Sequence, residues 1–375
     1  LTIVYGILGL GFLVFFHELG HFTAAHIFGV TVESFSIGMG PVLLHHTWGK
    51  TDYRLSLVPL GGYCGMKGEK DYQKALETNS KTIVADPDSF YGVHPAKRML
   101  IGFAGPFFNL LFAFIAFFVI ACMGYTYYSA GTTVSMTSDI PEYSTYPSPA
   151  KDAGMMSGDT IISIDGKQML DFSDIVTYVG TNPDKDVSIV VERDGVQKTF
   201  TVHTGFDKDS GSGKLGVVSD PNSVAARSYP ARSFFPALAE GARQTGSMVA
   251  LTFKSIGILF KGVNLTKTVS GPARITTMLG DTVKEGFSAG IHEGIVSTLE
   301  FLALLSVSLF IMNLLPIPIL DGGLILFSFI EFIFHRRISP KVLYYIQFIG
   351  IAFLGALLVL ALIGDIQYFI HKPNL

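Results

Sequence analysis

Charge is scarce in this 375-residue chain: Asp, Glu, Lys and Arg make up only 15% of it, where a soluble globular protein carries about 25%. The shortfall is concentrated in a few apolar runs separated by ordinary polar sequence, and the mean hydropathy is +0.44. This pattern excludes a plain soluble domain and indicates a membrane protein with polar parts attached. Cysteine is scarcer still, with Cys64 and Cys122 alone. Two thiols are too few for a thiolate metal site, and on the topology below they lie on different sides of the membrane or within it, which argues against a disulfide framework. There is no basic excess: the net charge of −3 gives no footing for a nucleic-acid partner. No G-x-S-x-G precedes a helix, so serine-nucleophile chemistry has no support. Internal repeats are absent too.

What is present begins with four apolar runs, at 1 to about 28, 99 to about 128, about 298 to 320, and 342 to 363. Each has the roughly 20 residues that a helix needs to cross a hydrocarbon core. The first has neither a basic flank nor a small-residue cleavage site, so it is expected to be a retained helix and not a signal peptide. Lys and Arg set the orientation. Lys50, Arg54, Lys67, Lys70, Lys74, Lys81, Lys97 and Arg98 fall between the first two runs, and Arg336, Arg337 and Lys341 between the last two. Both loops are expected on the cytoplasmic side, with 129–297 outside.

The expected fold is therefore a polytopic α-helical membrane protein with four transmembrane helices, a re-entrant β-hairpin and an inserted small α/β domain. Its parts run 1–28 (first helix), 29–98 (cytoplasmic loop), 99–128 (second helix), 129–230 (outward domain and linker), 231–297 (amphipathic interfacial segment), 298–323 (third helix) and 342–363 (fourth helix). Alternation at 32–37 and 53–58, each followed by Gly and Pro, reads as a small twisted sheet or re-entrant hairpin. Residues 67–89 read as polar and flexible. In the outward segment, 161–164 reads as a strand closed by Asp165-Gly166, 187–191 and 199–202 as strands around Asp194-Gly195, and 172–179 as a short helix. The domain is expected over about 133–204, followed by a polar linker, DKDSGSG, at 207–213. Lys254 and Arg243 interrupt the apolar residues of 234–263, so that stretch is expected to lie in the interface and not to span.

The chemistry sits in His17-Glu18-Leu19-Gly20-His21, inside the first run. On a helix, i and i+4 share a face, so both imidazoles reach one zinc ion. Glu18 is placed beside them to take a proton from the attacking water. Ionisable groups within an apolar helix are costly and mark function. A catalytic zinc keeps three protein ligands. Asp321 is the candidate third, at the end of N-L-L-P-I-P-I-L-D-G-G from Asn313, where two prolines break the helix. The alternative for Asp321 is a cap on the next helix. His45 and His46 are adjacent and point to opposite faces of a strand, so they make no second site. His94, His203, His292, His335 and His371 lack spaced partners.

HELGH in the first run with NLLPIPILDGG in the third resembles the site-2 protease family of intramembrane zinc metalloproteases, nearest its bacterial RseP- and RasP-like members. FSIGMGP and LSLVPLGGYCGM resemble the family's membrane re-entrant β-loop, FAGPFFN at 103–109 its second-span motif, and SPAKDAGMMSGDTIISIDGK at 148–167 a PDZ domain. SGPARITTMLGDTVKEG at 270–286 is similar to the segment before its third span. The resemblance implies zinc on His17, His21 and Asp321, Glu18 as the catalytic glutamate, and Asn313, Pro316 and Pro318 near the bound substrate. It gives Asn109 a role in polar support. Gly61 and Gly62 would let a substrate backbone approach the hairpin edge. The substrates implied are transmembrane proteins or peptides, such as anti-sigma-type regulators or remnant signal peptides, met in the bilayer of a bacterial cytoplasmic membrane with the active site towards the cytoplasm. The PDZ-like domain would contact a substrate ectodomain or peptide end. Only one such domain fits between 129 and 230, whereas the best-known relatives carry two.

Overall fold

A computed structural model describes residues 2–80, 82–143 and 145–371, without the side chains of Leu60 and Pro221. Leu1 and Lys81, used above as a run start and a loop charge, lie outside the described residues. Along the chain come α1 (Thr2–Phe28), β1 (Val32–Trp48), β2 (Thr51–Met66), α2 (Asp71–Glu77) and α3 (Pro95–Met123). Next are β3 (Tyr125–Ser129), β4 (Val134–Met136), α4 (Pro149–Asp152), β5 (Thr160–Ile164), β6 (Lys167–Gln168) and α5 (Phe172–Gly180). These are followed by β7 (Asp186–Arg193), β8 (Val196–His203), β9 (Gly205–Asp207), β10 (Ser212–Lys214), β11 (Val217–Ser219) and β12 (Ala225–Tyr229). The chain continues with α6 (Phe234–Leu259), α7 (Leu265–Thr268), α8 (Pro272–Ala289), α9 (Ile291–Leu314), α10 (Asp321–Phe334) and α11 (Pro340–His371). Its described residues divide into two units, one within 2–122, 233–249 and 271–369, the other within 123–232, 250–270 and 370–371.

In the first unit, α1, α3, α9 and α11 are long and apolar enough to cross a membrane, and α6 is not among the candidate spans. The third span ends earlier than expected. Helix α9 stops at Leu314, because Pro316 and Pro318 cannot continue it, and Asp321 instead opens α10. The second also ends early. Gly124, at φ +65°, turns the chain out of α3, and Tyr125 to Ser129 form a strand and not the last turn of a span. Residues 231–297 are not one segment but three helices and the start of α9.

Small residues let α8 lie against α1: the backbone of Thr276 is so close to Gly6, and that of Thr2 to Gly280, that neither glycine has room for a Cβ. Asp365 of α11, a buried carboxylate, accepts the backbone N–H groups of Gly271 (2.8 Å), Ala273 (2.9 Å) and Arg274 (3.2 Å) and so caps α8 from another helix.

Residues 67–80 and 82–89, expected to be flexible, are ordered by packing. Tyr72, Ala75, Ile83 and Phe90 are buried, and the Lys67 ammonium lies 3.0 Å from Asp86 and 2.6 Å from Asp88. Tyr72 donates to Gln347 of α11 (2.5 Å), and Arg337 donates to the carbonyls of Ile83 (2.6 Å) and Tyr91 (3.1 Å). The partner surface comes from more than 240 residues downstream, which local composition does not reveal. At the same level Arg98 of α3 and Glu331 of α10, both buried, meet at 2.5 Å, and Glu331 also accepts the N–H of Ile338 at 2.8 Å.

The second unit holds a four-stranded antiparallel sheet in the order β6-β5-β7-β8 over a core of Ile161, Ile164, Ile175, Val179, Val187, Ile189, Val191 and Val202. Both Asp-Gly turns are as expected, with positive φ at Asp165-Gly166 and Asp194-Gly195. The domain does not end at residue 204. The supposed linker is the β9–β10 hairpin, Leu215 is in the core, and β11 pairs with β4. Strands β3 and β12 pair from Ser129↔Ala225 to Tyr125↔Tyr229, so the two ends of the domain enter side by side.

The Arg98–Glu331 pair gives the first prediction. Arg98→Met should destabilise the chain by about 3–5 kcal/mol, because it strands a buried carboxylate, whereas Arg98→Met with Glu331→Leu should regain much of that loss. Thermal unfolding in detergent measures both; equal losses in the single and double variants would show that the charge is not what matters.

Candidate metal centre

HELGH falls in the C-terminal half of α1. The Nε2 atoms of His17 and His21 lie 3.2 Å apart, at 3.1 Å and 3.2 Å from the two carboxylate oxygens of Asp321. Among the described residues this is the one group of His, Cys, Asp and Glu whose ligand atoms all lie within 4.8 Å of one another. His21 is buried, and His17 and Asp321 are half-buried.

The outer nitrogens explain the orientation. His21 Nδ1 donates to the carbonyl of Ile101 at 2.8 Å. That bond fixes the proton on Nδ1 and leaves the Nε2 lone pair turned inward. The side-chain amide of Asn109 meets Nδ1 of His17 at 3.0 Å, and its oxygen is buried with no partner. Turned over, the amide accepts the Nδ1 proton of His17, satisfies that oxygen, and frees the second Nε2 as well. Two imidazole lone pairs and a carboxylate then face one another, an arrangement that repels unless a cation lies between them. Two nitrogens and one oxygen suit zinc and leave a coordination position open. The residues present fit the ion.

Three close approaches make the arrangement possible. Gly20, inside HELGH, meets the Ala104 carbonyl of α3, and a Cβ there would collide with it. A Cβ on Gly105 would stand against Nε2 of His21 and 2.8 Å from Cε1 of His17. After α9, the loop 315–320 folds back on the start of α10: Ile317 N–H donates to Leu315 O (2.7 Å), and Leu320 N–H to Ile317 O (3.1 Å). A Cβ on Gly322 would strike the carbonyls of Leu314 and Leu315, and one on Gly323 would come within 2.5 Å of that of Ile317. The D-G-G run is thus what allows the carboxylate to be delivered here. Ile319 sits at φ +92°, a region that costs a branched residue about 1–3 kcal/mol.

The hairpin approaches from the other side. The inner part of β1, 32–37, pairs with both ends of β2: Ile37↔Gly62 and Val32↔Met66 on one side, Ser34↔Asp52 and Ile37↔Leu55 on the other. The outer part, 42–48, pairs with 51–56. Residues 62–66 are therefore an edge. Gly61, at φ +113°, turns the chain into this edge. Gly62 is buried beside the base candidate, and a Cβ there would stand 3.3 Å from Cγ of Glu18. Asn313 is half-buried in the last turn of α9, and among the described residues no hydrogen bond involves its side chain. Pro316 is exposed and Pro318 half-buried in the loop before α10.

The sequence reading missed several contributors. Gly20 and Gly105 stand inside HELGH and FAGPFFN, motifs whose letters carry no sign of a steric role. Ser306 of α9 donates to the Asn109 carbonyl at 2.8 Å, and its signal was a polar residue in an apolar run. The Ile101 carbonyl has no signal in the side chains. His45 is exposed and paired with Asp52 at 3.1 Å.

A multi-pass membrane protein with a His, His, Asp donor set at the junction of three helices is a membrane-embedded metallopeptidase in architecture. The chain belongs to Peptidase family M50, whose model matches residues 5–357. It is 36% identical to a protein of Treponema pallidum named as a zinc metalloprotease, over 99% of this chain and 100% of that one. A similarly named protein of Campylobacter jejuni is 33% identical, over 98% and 93%, and one of Borreliella burgdorferi 30%, over 99% and 100%. The alignment with the Treponema protein spans 454 positions, many more than this chain has residues, so that relative carries inserted sequence. The chain is a zinc metalloprotease.

Purified protein should hold about one zinc per chain. His17→Ala, His21→Ala, Asp321→Ala and Gly105→Val should each deplete it, Asn109→Ala should weaken zinc binding by roughly 10–100-fold, and Glu18→Gln should retain it. Metal analysis of the purified variants checks this; full zinc in Asp321→Ala would remove that residue from the donor set.

Proposed function

We propose that this protease cuts peptide bonds inside the transmembrane segments of membrane proteins, with His17, His21 and Asp321 holding zinc and Glu18 as general base. The observation that carries the reading is the convergence of the two imidazoles on Asp321 within a bundle of apolar helices. Zinc, when bound, polarises a carbonyl and acidifies water. The Glu18 carboxylate takes the proton of the attacking water and delivers it to the leaving amine. Asn109 and the Ile101 carbonyl hold the imidazoles in the tautomer that binds metal.

A transmembrane helix satisfies its own backbone hydrogen bonds, so it must unwind before it is cut. The 62–66 edge beside Glu18 offers backbone groups for strand addition, and Gly61 and Gly62, packed against Met39 and the Ser36 carbonyl, let the backbone itself lie that close to Glu18. Asn313, Pro316 and Pro318 would hold the substrate on the opposite side. Trp48, at the turn beside Lys50, is 77% exposed. The outer hairpin exposes Val42, Leu43, Leu44, Leu55, Leu57 and Val58. Such a surface suits immersion in lipid, which supports a re-entrant hairpin. The basic loops at 50–98 and 336–341 support a cytoplasmic-side active site in a bacterial cytoplasmic membrane. Helix α6, with Arg243 and Lys254 among its apolar residues, suits an interfacial position.

The domain between β3 and β12, a sheet with α5 alongside, is read as PDZ-like and as a filter that keeps bulky ectodomains from the active site. The substrates are then regulators of the anti-sigma type already trimmed outside, or remnant signal peptides. Because β3 and β12 pair, a short turn can replace residues 130–224. In reconstituted vesicles the wild type should cleave a short-stub reporter span and Glu18→Gln should not. The shortened chain should keep that cleavage and also begin to cut an untrimmed reporter. Loss of all cleavage in a folded, zinc-loaded shortened chain would mean that the domain presents the substrate actively.

A further inference from the structure

Helix α9 carries a carboxylate that the reaction does not use. Glu300 lies within this candidate span, ten residues into the helix. Among the described residues no hydrogen bond or ion pair reaches it. An ionised carboxylate facing hydrocarbon without a partner costs several kcal/mol and is retained where it faces a cavity or binds something.

Its position on the helix shows which way it faces. Residues at i−4, i+3 and i+7 share a face with i. For Glu300 these are Val296, Ala303 and Val307, all buried, whereas Leu304 at i+4 is 38% exposed and Glu300 itself is exposed. Glu300 therefore stands at the edge of the packed face of α9, where an incoming helix can reach it. Six residues further along, the buried Ser306 donates to the carbonyl of Asn109, whose amide meets His17. At 1.5 Å per residue, Glu300 stands about 9 Å along α9 from Ser306. Leu302, near the same level, packs towards Gly9 of α1 beside Leu279 of α8.

We propose that Glu300 is a specificity-determining residue that pairs with a basic side chain, Lys or Arg, in the transmembrane segment of the substrate, offset from the scissile bond by at least about 9 Å along the bundle. This rests on the intramembrane protease reading. Such an offset equals about three residues of extended chain or six of helix at the least, so the basic residue lies three or more positions from the cut. Within a span such a residue is costly until it meets a carboxylate, and that supplies discrimination against fully apolar spans that pass the same enzyme.

The test uses the full chain in vesicles with a reporter span carrying Lys, Leu or Glu at successive positions on either side of the cut. Wild type should prefer Lys to Leu by at least about tenfold in kcat/KM at one position in that window. Glu300→Gln should abolish the preference, and Glu300→Lys should reverse it in favour of Glu at the same position. Binding of the Lys, Leu and Glu spans to Glu18→Gln and to Glu18→Gln/Glu300→Lys should show the same reversal without turnover. Equal ratios in wild type and both Glu300 variants would overturn the inference, as would losses of the same size on every span, which is what a merely structural role gives. If wild type cuts none of the spans, it is the intramembrane protease reading that fails.

Discussion

Everything in the first unit depends on three lone-pair donors from distant parts of the chain being held face to face in an apolar bundle. The imidazoles arrive on one helix and the carboxylate some 300 residues later, yet their atoms lie within 3.2 Å of one another. Such a cluster is unfavourable without a cation. The surrounding protein therefore restrains each donor from behind: the Ile101 carbonyl for one ring, the Asn109 amide for the other, and the folded loop 315–320 for the carboxylate. Side chains are kept small where they would block this convergence. Gly20, Gly105, Gly322 and Gly323 are each a place where one methyl group would push a helix or a ligand away.

The same economy of space governs the rest of the bundle. Helix α8 lies close to α1 because Gly6 and Gly280 allow backbone contact, and its first turn is capped by a carboxylate from α11. The buried Arg98–Glu331 pair joins α3 to α10, the helix that begins with Asp321. Supports of the candidate metal centre thus reach back to the last helix and to the polar segment after the hairpin.

The motifs were legible because their chemistry is local. HELGH needs only one helical turn, and the Asp-Gly hairpins only two residues. Asp321 was legible as a ligand type, but its helix was not: the prolines moved it from the end of one span to the start of the next element. Where the sequence misled, the missing information was long-range. Residues 67–89 read as flexible because the groups that order them, Arg337 and Gln347, lie far downstream. DKDSGSG read as a linker because three-residue strands such as β9 and β10 carry no periodicity. The steric work of a glycine shows only when its neighbours are known.

Trp48, at the turn beside Lys50, is the only tryptophan in the sequence. Indole emission is sensitive to the polarity around the ring, and in this chain all of it arises from one place. The intrinsic fluorescence is therefore an unmodified optical probe of that turn, free of overlapping signal from the helices. Its colour and its accessibility to quenchers report whether that end of the hairpin sits among water, lipid headgroups or acyl chains.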